Sequence, residues 1–207
     1  KGAKRPYSQL RVVLLPFQRL HVSLGRGADE PGAEVHTLRA AEWAGGMPMP
    51  SGSALFPGFY LNELLLRLLA RQDPHPRLFD AYAQVLPALA EPDEALAQAA
   101  LRAFELTLLR EIGVLPELSG VTLTLQPLRP DAPYMLRPEV GVAAAASAEP
   151  NPFTGAQLVA LQAALEHGSV MALRAACGAT LPALRGALRK LLHYHLGHTP
   201  LRTRQVW

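Results

Sequence analysis

The segment LNELLLRLL, residues 61–69, carries the clearest structural signal in this sequence of 207 residues. Its leucines recur at the spacing i, i+3, i+4, i+7 and i+8, which places them on one face of a helix. They are Leu61, Leu64, Leu65, Leu68 and Leu69. Because a helix with one apolar face buries that face against other elements, the segment predicts a packed helical core.

Two more helices are predicted directly after this segment. Asp73 and Pro74 are typical of an N-cap followed by proline at the first helical position. The next helix is expected after Pro92 and is expected to end at Gly113. The apolar positions are Leu78, Phe79, Tyr82, Val85 and Leu86 in one helix and Leu101, Phe104, Leu108 and Ile112 in the other. Three successive helices of this kind predict face-to-face helix packing.

The C-terminal part of the sequence also carries helix signals. Thr154 and Gln157 have the spacing of a capping box. Thr180 is expected to cap the last long helix, on which Arg185, Arg189 and His193 share one face. The apolar positions are Leu158, Leu161 and Leu165 after the capping box and Leu181, Leu184, Leu188, Leu191 and Leu192 in the last helix.

Strand patterns precede the helices and interrupt them once. The segments Gln9–Leu15 and Gln18–Leu24 are rich in Leu and Val, and apolar and polar residues alternate in Gln18–Leu24 and in Glu34–Leu38. These patterns predict a small antiparallel sheet or barrel in residues 1–46. A Gly- and Pro-rich linker follows it. Residues 120–150 lose the helical period, and the alternation there predicts a short, irregular β insertion. The expected fold is therefore α+β, with domains at 1–46 and 47–207.

Composition limits the class of protein. The sequence is 49% hydrophobic and 18% charged, with 16 Gly and 19 Pro, which indicates a globular chain rich in turns. The small-residue run Val140–Ala148 is much shorter than a bilayer span, and the start of the chain does not match a secretory signal, so we expect a cytoplasmic protein. The lone Cys177 predicts neither an internal disulfide nor a cysteine-based zinc site. Because the sequence opens without Met, we expect it to omit the true beginning of the protein.

Positive charge is concentrated at both ends of the sequence. Residues 1–26 and residues 167–207 each hold six basic and no acidic residues, whereas residues 27–166 hold all 17 acids. Basic side chains along a surface bind polyanions such as nucleic acids and release their counterions. The alternative is that both ends are ordinary solvated basic faces.

The recognisable motifs of catalytic sites are missing from the sequence. It has no GxxxxGK[ST] phosphate loop and no GxSxG nucleophile elbow, and Gly25–Gly27 lacks the third glycine of a dinucleotide-binding motif. His193, His195 and His198 could together bind a metal ion, but His193 and His195 point to opposite sides of a helix and no carboxylate lies near them in the sequence. Ordinary histidines at a helix end are therefore favoured. Structural roles are expected for three acids beside apolar residues, Glu42, Glu63 and Glu105. These observations favour a binding protein without a cofactor over an enzyme.

Several segments resemble the RecO family of bacterial recombination mediators. In the N-terminal part they are Lys1-Gly2-Ala3-Lys4-Arg5-Pro6, Pro16-Phe17, Gly25-Arg26-Gly27 and Thr37-Leu38. In the centre and at the end they are Phe59-Tyr60-Leu61-Asn62-Glu63, Leu101-Arg102-x-Phe104-Glu105, Phe153-Thr154-Gly155 and Tyr194-x-Leu196-Gly197. The similarity implies a partial N-terminal oligonucleotide-binding (OB) barrel and a mainly helical C-terminal domain. Some members bind zinc through cysteines in the region matching residues 114–150, but this sequence has no cysteine there, so we expect no zinc.

The resemblance implies a non-catalytic role in DNA repair. Proteins of this family bind single- and double-stranded DNA, anneal complementary strands, contact the acidic tail of single-stranded DNA-binding protein, and work with RecR to load RecA. Together with the charge map, this predicts a DNA-binding set formed by Lys1, Lys4, Arg5, Tyr7, Arg11, Arg19, Arg26, Arg185, Arg189, Lys190, Arg202 and Arg204. Within it, Tyr7 is the better candidate for base stacking, because Phe17 is expected to fill the core.

A pocket for the acidic tail is predicted at Arg102, with Leu101 and Phe104 as its apolar neighbours. The tail is acidic and ends in a hydrophobic residue, so its receptor needs an apolar surface beside a cation that meets a carboxylate bidentately. The alternative is that Arg102 is a helix-surface residue or pairs with Glu105 or Asp80.

Two other functions are possible from the sequence. A pure adaptor would bind acidic proteins through both basic ends, with little direct DNA contact. A metal-assisted nuclease is disfavoured, because it needs clustered carboxylates that the basic ends lack.

Overall fold

The computed structural model describes residues 5–25, 36–45, 49–197 and 200–203, and these ranges form a mixed α+β fold. The helices are α1 Gln9–Val13, α2 Leu55–Leu68, α3 Pro76–Ala88, α4 Glu94–Glu111, α5 Gly155–His167, α6 Val170–Gly178 and α7 Leu181–Leu196. The strands are β1 Leu20–Leu24, β2 Leu38–Trp43, β3 Pro133–Arg137, β4 Gly141–Ala144 and β5 Phe153–Thr154. None of the helices within these ranges combines the length and the hydrophobicity that crossing a bilayer requires.

The N-terminal part is a two-stranded antiparallel sheet, in which Leu20 of β1 pairs with Trp43 of β2. The partial barrel implied by the resemblance is not found among the described residues, because two strands cannot close a barrel. Helix α1 also replaces the strand that we predicted at Gln9–Leu15. The reason is that a short apolar run has no period that separates strand from helix. Residues 26–35, which include the start of the predicted strand Glu34–Leu38, lie outside the described residues.

Helix α4 lies at the centre of the core and contacts α3, α6 and α7. Three of its leucines, Leu106, Leu108 and Leu109, are completely buried. Asp93 caps the helix by accepting a hydrogen bond from the backbone of Ala95. The predicted helical stripes are therefore largely correct, because their leucines are buried in the core or pack against it. Phe79 is an exception, since it was predicted on the apolar face of α3 but is 51% exposed.

The helix ends follow the sequence less closely than the stripes. The capping box is confirmed, because Thr154 and Gln157 each accept a hydrogen bond from the other's backbone amide. The predicted start of α3 is wrong by two residues, since Pro76 and not Pro74 occupies the first turn. Thr180 precedes α7 without capping it, because its hydroxyl donates backward to the Ala176 carbonyl at the end of α6. Helix α6 was not predicted.

A second, three-stranded antiparallel sheet has the strand order β4-β3-β5 and contacts α7 through β3. Strands β3 and β4 lie within residues 120–150, where the β insertion was predicted, and β5 adds a third strand just ahead of α5. The alternating residues Val121, Leu123 and Leu125 form no named strand. They belong to a turn, in which Leu125 has a positive φ and its amide donates to the Val121 carbonyl. The sequence pattern located the insertion but not its strands.

Candidate partner-binding cleft

A cleft of about 440 Å³ lies between α2, α4 and α7. We call it the arginine cleft, because three arginines contribute to its walls. Its lining residues are Pro57 and Tyr60 of α2, Gln98, Leu101 and Arg102 of α4, Arg185 and Arg189 of α7, and Thr203. Polar and apolar surface are therefore combined in one concave site, which is the usual character of a ligand-binding pocket.

Arg102 is fixed in the cleft by a buried ion pair. Its Nη1 atom donates to Oε2 of Glu105 across 2.7 Å, and only 11% of the Arg102 side chain is exposed. The hydroxyl of Tyr60 donates to the other carboxylate oxygen of Glu105 across 2.6 Å. The Nε atom of Arg102 is buried and has no hydrogen-bond partner among the described residues. The ion-pair alternative for Arg102 is thus correct, and it coexists with a place in the cleft.

Arg185 and Arg189 bring exposed positive charge to the same cleft. They lie one turn apart on α7, and no carboxylate in the described ranges pairs with either of them. The sequence analysis placed both in the DNA-binding set, apart from Arg102. Lys190 is exposed but is not part of the cleft lining, because successive helix residues point about 100° apart.

The apolar side of the cleft differs from the predicted one. Leu101 lines it, as predicted, but Phe104 does not. Phe104 is buried on the other side of α4, where its ring packs edge-on against Tyr82 with 6.1 Å between ring centroids. Side chains two residues apart on a helix point about 200° away from each other, so Arg102 and Phe104 cannot face the same pocket. Pro57 and Tyr60 of α2, which the sequence analysis did not select, provide the apolar surface instead.

Residues 200–203, which we call the closing segment, form one wall of the cleft through Thr203. On its far side lies a second depression of about 630 Å³, the outer groove, lined by Phe56, Phe59, Asn62, Glu63, Leu66, Arg67, Pro200, Arg202 and Thr203. Arg202 therefore lies apart from Arg185 and Arg189, although the sequence grouped all three.

Glu63 holds the closing segment from the side of the outer groove. Its carboxylate accepts hydrogen bonds from the amide of Arg202 and from the amide and hydroxyl of Thr203, at 2.8, 3.0 and 2.8 Å. Burial raises the pKa of Glu63, but these hydrogen bonds and the nearby Arg67 outweigh it, so the pKa lies below the ordinary 4.5. The sequence analysis had noted Glu63 only as an acid among apolar residues, since its partners lie at the far end of the chain.

The predicted N-terminal DNA residues are exposed where the structure describes them. Arg5, Tyr7, Arg11 and Arg19 are all exposed, Tyr7 to 99%. The guanidinium of Arg19 lies 5.5 Å from the centre of the Phe79 ring, in the range of a cation–π contact. The remaining members of the set, Lys1, Lys4, Arg26 and Arg204, lie outside the described residues.

Phe17 and Cys177 have structural positions. Phe17 is buried and packs edge-on against Phe59, with 5.1 Å between ring centroids, so it fills the core as expected. Cys177 is completely buried, and burial together with Glu105 raises its pKa to about 12 despite the opposing effect of Arg102. Within the described part of the chain, no three His, Cys, Asp or Glu side chains are grouped closely enough to hold a metal ion.

Comparisons with known proteins agree with the sequence resemblance. A family model described as "Recombination protein O C terminal" matches residues 50–205. The whole chain is 50% identical to the DNA repair protein RecO of Albidiferax ferrireducens, of which it covers 80%. It is 51% identical to the RecO protein of Verminephrobacter eiseniae and 49% identical to that of a Polaromonas species, covering 81% of each. The chain therefore belongs to the RecO family of DNA repair proteins, which are non-catalytic mediators of recombination.

Proposed function

We propose that this protein acts as a recombination mediator through two separate surfaces. The arginine cleft receives the acidic C-terminal tail of single-stranded DNA-binding protein, and the exposed N-terminal basic residues bind single- and double-stranded DNA. The proposal includes annealing of complementary strands, RecR as a partner, RecA as the protein loaded in consequence, and a location in the bacterial cytoplasm.

The observation that carries the proposal for the cleft is the convergence of Arg102, Arg185 and Arg189 on one concave site. A guanidinium group presents paired donors that match the two oxygens of a carboxylate. A tail with several carboxylates therefore finds several receptors in one place. Leu101 and Pro57 supply apolar surface beside them, which suits the hydrophobic residue at the end of such a tail.

The buried ion pair supports the choice of Arg102 as the anchor. Glu105 and Tyr60 orient the guanidinium before any ligand arrives, so little side-chain freedom is lost on binding. The charge of Glu105 is also matched by that of Arg102, which leaves Arg185 and Arg189 to give the cleft its positive character.

The DNA-binding part of the proposal is supported by the exposure of Arg5, Arg11 and Arg19. Cations of this kind track phosphates, and the fully exposed ring of Tyr7 offers a face on which a base can stack. A backbone-directed surface of this type is independent of sequence, as an annealing protein requires.

Binding of a synthetic peptide tests the cleft. The probe is a fluorescent, aspartate-rich peptide that ends in phenylalanine with a free carboxylate, and the same peptide with an amidated end is its control. Arg102→Lys keeps a positive charge near Glu105 but loses the planar fork, so we expect affinity to fall more than about tenfold. Arg137→Lys, at an exposed site on β3, is the matched variant and should bind like the wild type. Equal affinities of the Arg102 and Arg137 variants would place the tail elsewhere.

The adaptor function is favoured by one observation, the position of Arg185 and Arg189 in a cleft and not on an open face. An adaptor would use both arginines for protein and would contact DNA little. Competition separates the two functions. If the acidic peptide releases all bound oligonucleotide from the protein, DNA and peptide share the cleft. If the protein binds the peptide and no oligonucleotide at all, the adaptor function is correct.

A further inference from the structure

The closing segment divides the arginine cleft from the outer groove. Thr203 lines both depressions, whereas Glu63 and Arg67 line only the outer groove. Between the two depressions, Leu201 of the closing segment is inserted into the core and is only 3% exposed. One wall of the cleft is therefore formed by a short segment of chain, whereas helices α2, α4 and α7 form the others.

Helix α2 holds this segment with two side chains one turn apart. Glu63 accepts hydrogen bonds from the amides of Arg202 and Thr203 and from the Thr203 hydroxyl. Arg67 donates to the carbonyl of Pro200 at 3.3 Å and to that of Leu196, at the end of α7, at 3.2 Å. A carboxylate thus satisfies backbone donors, and a guanidinium satisfies backbone acceptors, at both ends of the same segment.

We propose that Glu63 and Arg67 are positioning residues for the arginine cleft: they clamp the closing segment so that Thr203 is held in place as part of the cleft wall. The proposal rests on the peptide-binding function of the cleft. Neither residue lines the cleft, so apart from the long-range effect of their charges they act on the ligand through the closing segment. Loss of the clamp lets the wall move away from Arg185 and Arg189 and leaves the cleft open to the outer groove.

The burial of Leu201 limits how far the closing segment can move when the clamp is lost. Leu201 stays buried when the polar clamp is lost, because its burial depends on the apolar core and not on Glu63. One carboxylate oxygen of Glu63 accepts from the amide of Arg202, and the other accepts from the amide and hydroxyl of Thr203. Glu63→Gln has no charge and only one acceptor oxygen, so it can satisfy only one of these two sites, and with weaker hydrogen bonds. We therefore expect the wall to become mobile without detaching completely, and peptide affinity to fall about five- to tenfold.

The charge change provides an internal control. Glu63→Gln removes one negative charge, which by itself strengthens the attraction of an acidic peptide. Glu139→Gln makes the same change at an exposed position on the turn between β3 and β4. Weaker binding by the Glu63 variant and equal or stronger binding by the Glu139 variant therefore separate the clamp from simple electrostatics.

The experiment measures affinity for the aspartate-rich peptide and amide hydrogen exchange of the unliganded protein. We expect Glu63→Gln to accelerate amide exchange at Arg202 and Thr203 and to lower the affinity for the peptide, while exchange in α4 stays unchanged. Thr203→Val keeps the volume of the wall but removes its hydroxyl donor. If Glu63 acts through Thr203, the two losses of affinity are not additive in the double variant.

Each outcome distinguishes this inference from the function on which it rests. Suppose that the wild type binds the peptide and Arg102→Lys binds it more weakly, but Glu63→Gln binds it as tightly as the wild type. The positioning role of Glu63 is then wrong, whereas peptide binding in the arginine cleft is supported. Additive losses mean that Glu63 affects the cleft by another route, which also rejects the clamp. If the wild type does not bind the peptide, both proposals fail.

Discussion

Arg102 and Glu105 lie one turn apart on α4, and the 2.7 Å contact between Nη1 and Oε2 is an ion pair whose carboxylate is completely inaccessible to solvent. The Tyr60 hydroxyl donates to the second oxygen of that carboxylate. A buried charge requires such compensation, because its loss of hydration is large. The site that presents Arg102 to a ligand therefore depends on a residue that no ligand in the cleft touches.

Removal of Glu105 should destabilise the whole protein. Glu105→Ala leaves the Arg102 charge unpaired while only 11% of its side chain is exposed, which costs about 3–5 kcal/mol. Urea unfolding followed by circular dichroism measures this loss. Glu139→Ala, at an exposed turn, is the control and should change the free energy of unfolding by less than about 0.5 kcal/mol. A loss of the same small size for Glu105→Ala contradicts the importance of the pair.

Arg185 and Arg189 should act on peptide binding and not on DNA binding. Because both residues line the arginine cleft, the double variant Arg185→Ala/Arg189→Ala should lower the affinity for the acidic peptide by more than about tenfold. Lys190→Ala, the neighbouring exposed cation outside the cleft lining, should have little effect on the peptide. Fluorescence anisotropy with labelled peptide and labelled oligonucleotide measures both. A variant that loses DNA and keeps the peptide would return these arginines to the DNA-binding set.

The sequence predicted the helices well and the cleft only in part, for a physical reason. The leucine spacing of α2 and the capping box at Thr154 are local patterns, and local patterns determine which face of a helix is buried. The meeting of Arg102 with Arg185 depends on how α4 and α7 pack, which no local spacing expresses. The hydrogen bonds that Thr203 donates to Glu63 are even harder to predict, because these two residues lie far apart in the sequence. Where the pattern was short, as at Gln9–Leu15, it did not distinguish a strand from α1.

The exposed N-terminal arginines should determine how DNA affinity depends on salt. Each duplex phosphate neutralised contributes about −0.9 to the slope of log affinity against log salt. Arg5→Ala/Arg11→Ala should therefore weaken all oligonucleotides similarly and flatten this slope by up to about 1.8. Titrations at several salt concentrations measure it, with Arg137→Ala as the control. An unchanged slope would remove both arginines from the DNA surface.

Cys177 should be unreactive in the folded protein. Burial and the nearby Glu105 raise its pKa to about 12, so the thiolate, which is the reactive form, is very scarce at neutral pH. Ellman's reagent should modify it only as fast as the protein unfolds, and one thiol per chain should react at once in urea. Rapid modification of the native protein would show that α6 and α4 separate there much more readily than this packing permits.

The hold of Glu63 on the closing segment should weaken in acid. Burial, the largest single cause, raises the pKa of Glu63, but the hydrogen bonds from Thr203 and Arg202 and the nearby Arg67 together outweigh it, so the folded-state pKa lies below 4.5. A carboxyl with a lowered folded pKa adds stability that is fully present above its unfolded pKa and is lost as the pH falls through the folded value. The wild type should thus exceed Glu63→Gln in free energy of unfolding at pH 7, and the difference should shrink as the pH falls below 4.5. Urea unfolding at several pH values measures it, with Glu139→Gln as the exposed control. A difference that stays constant down to the lowest pH at which the protein folds would mean that the charge of Glu63 does not hold the segment.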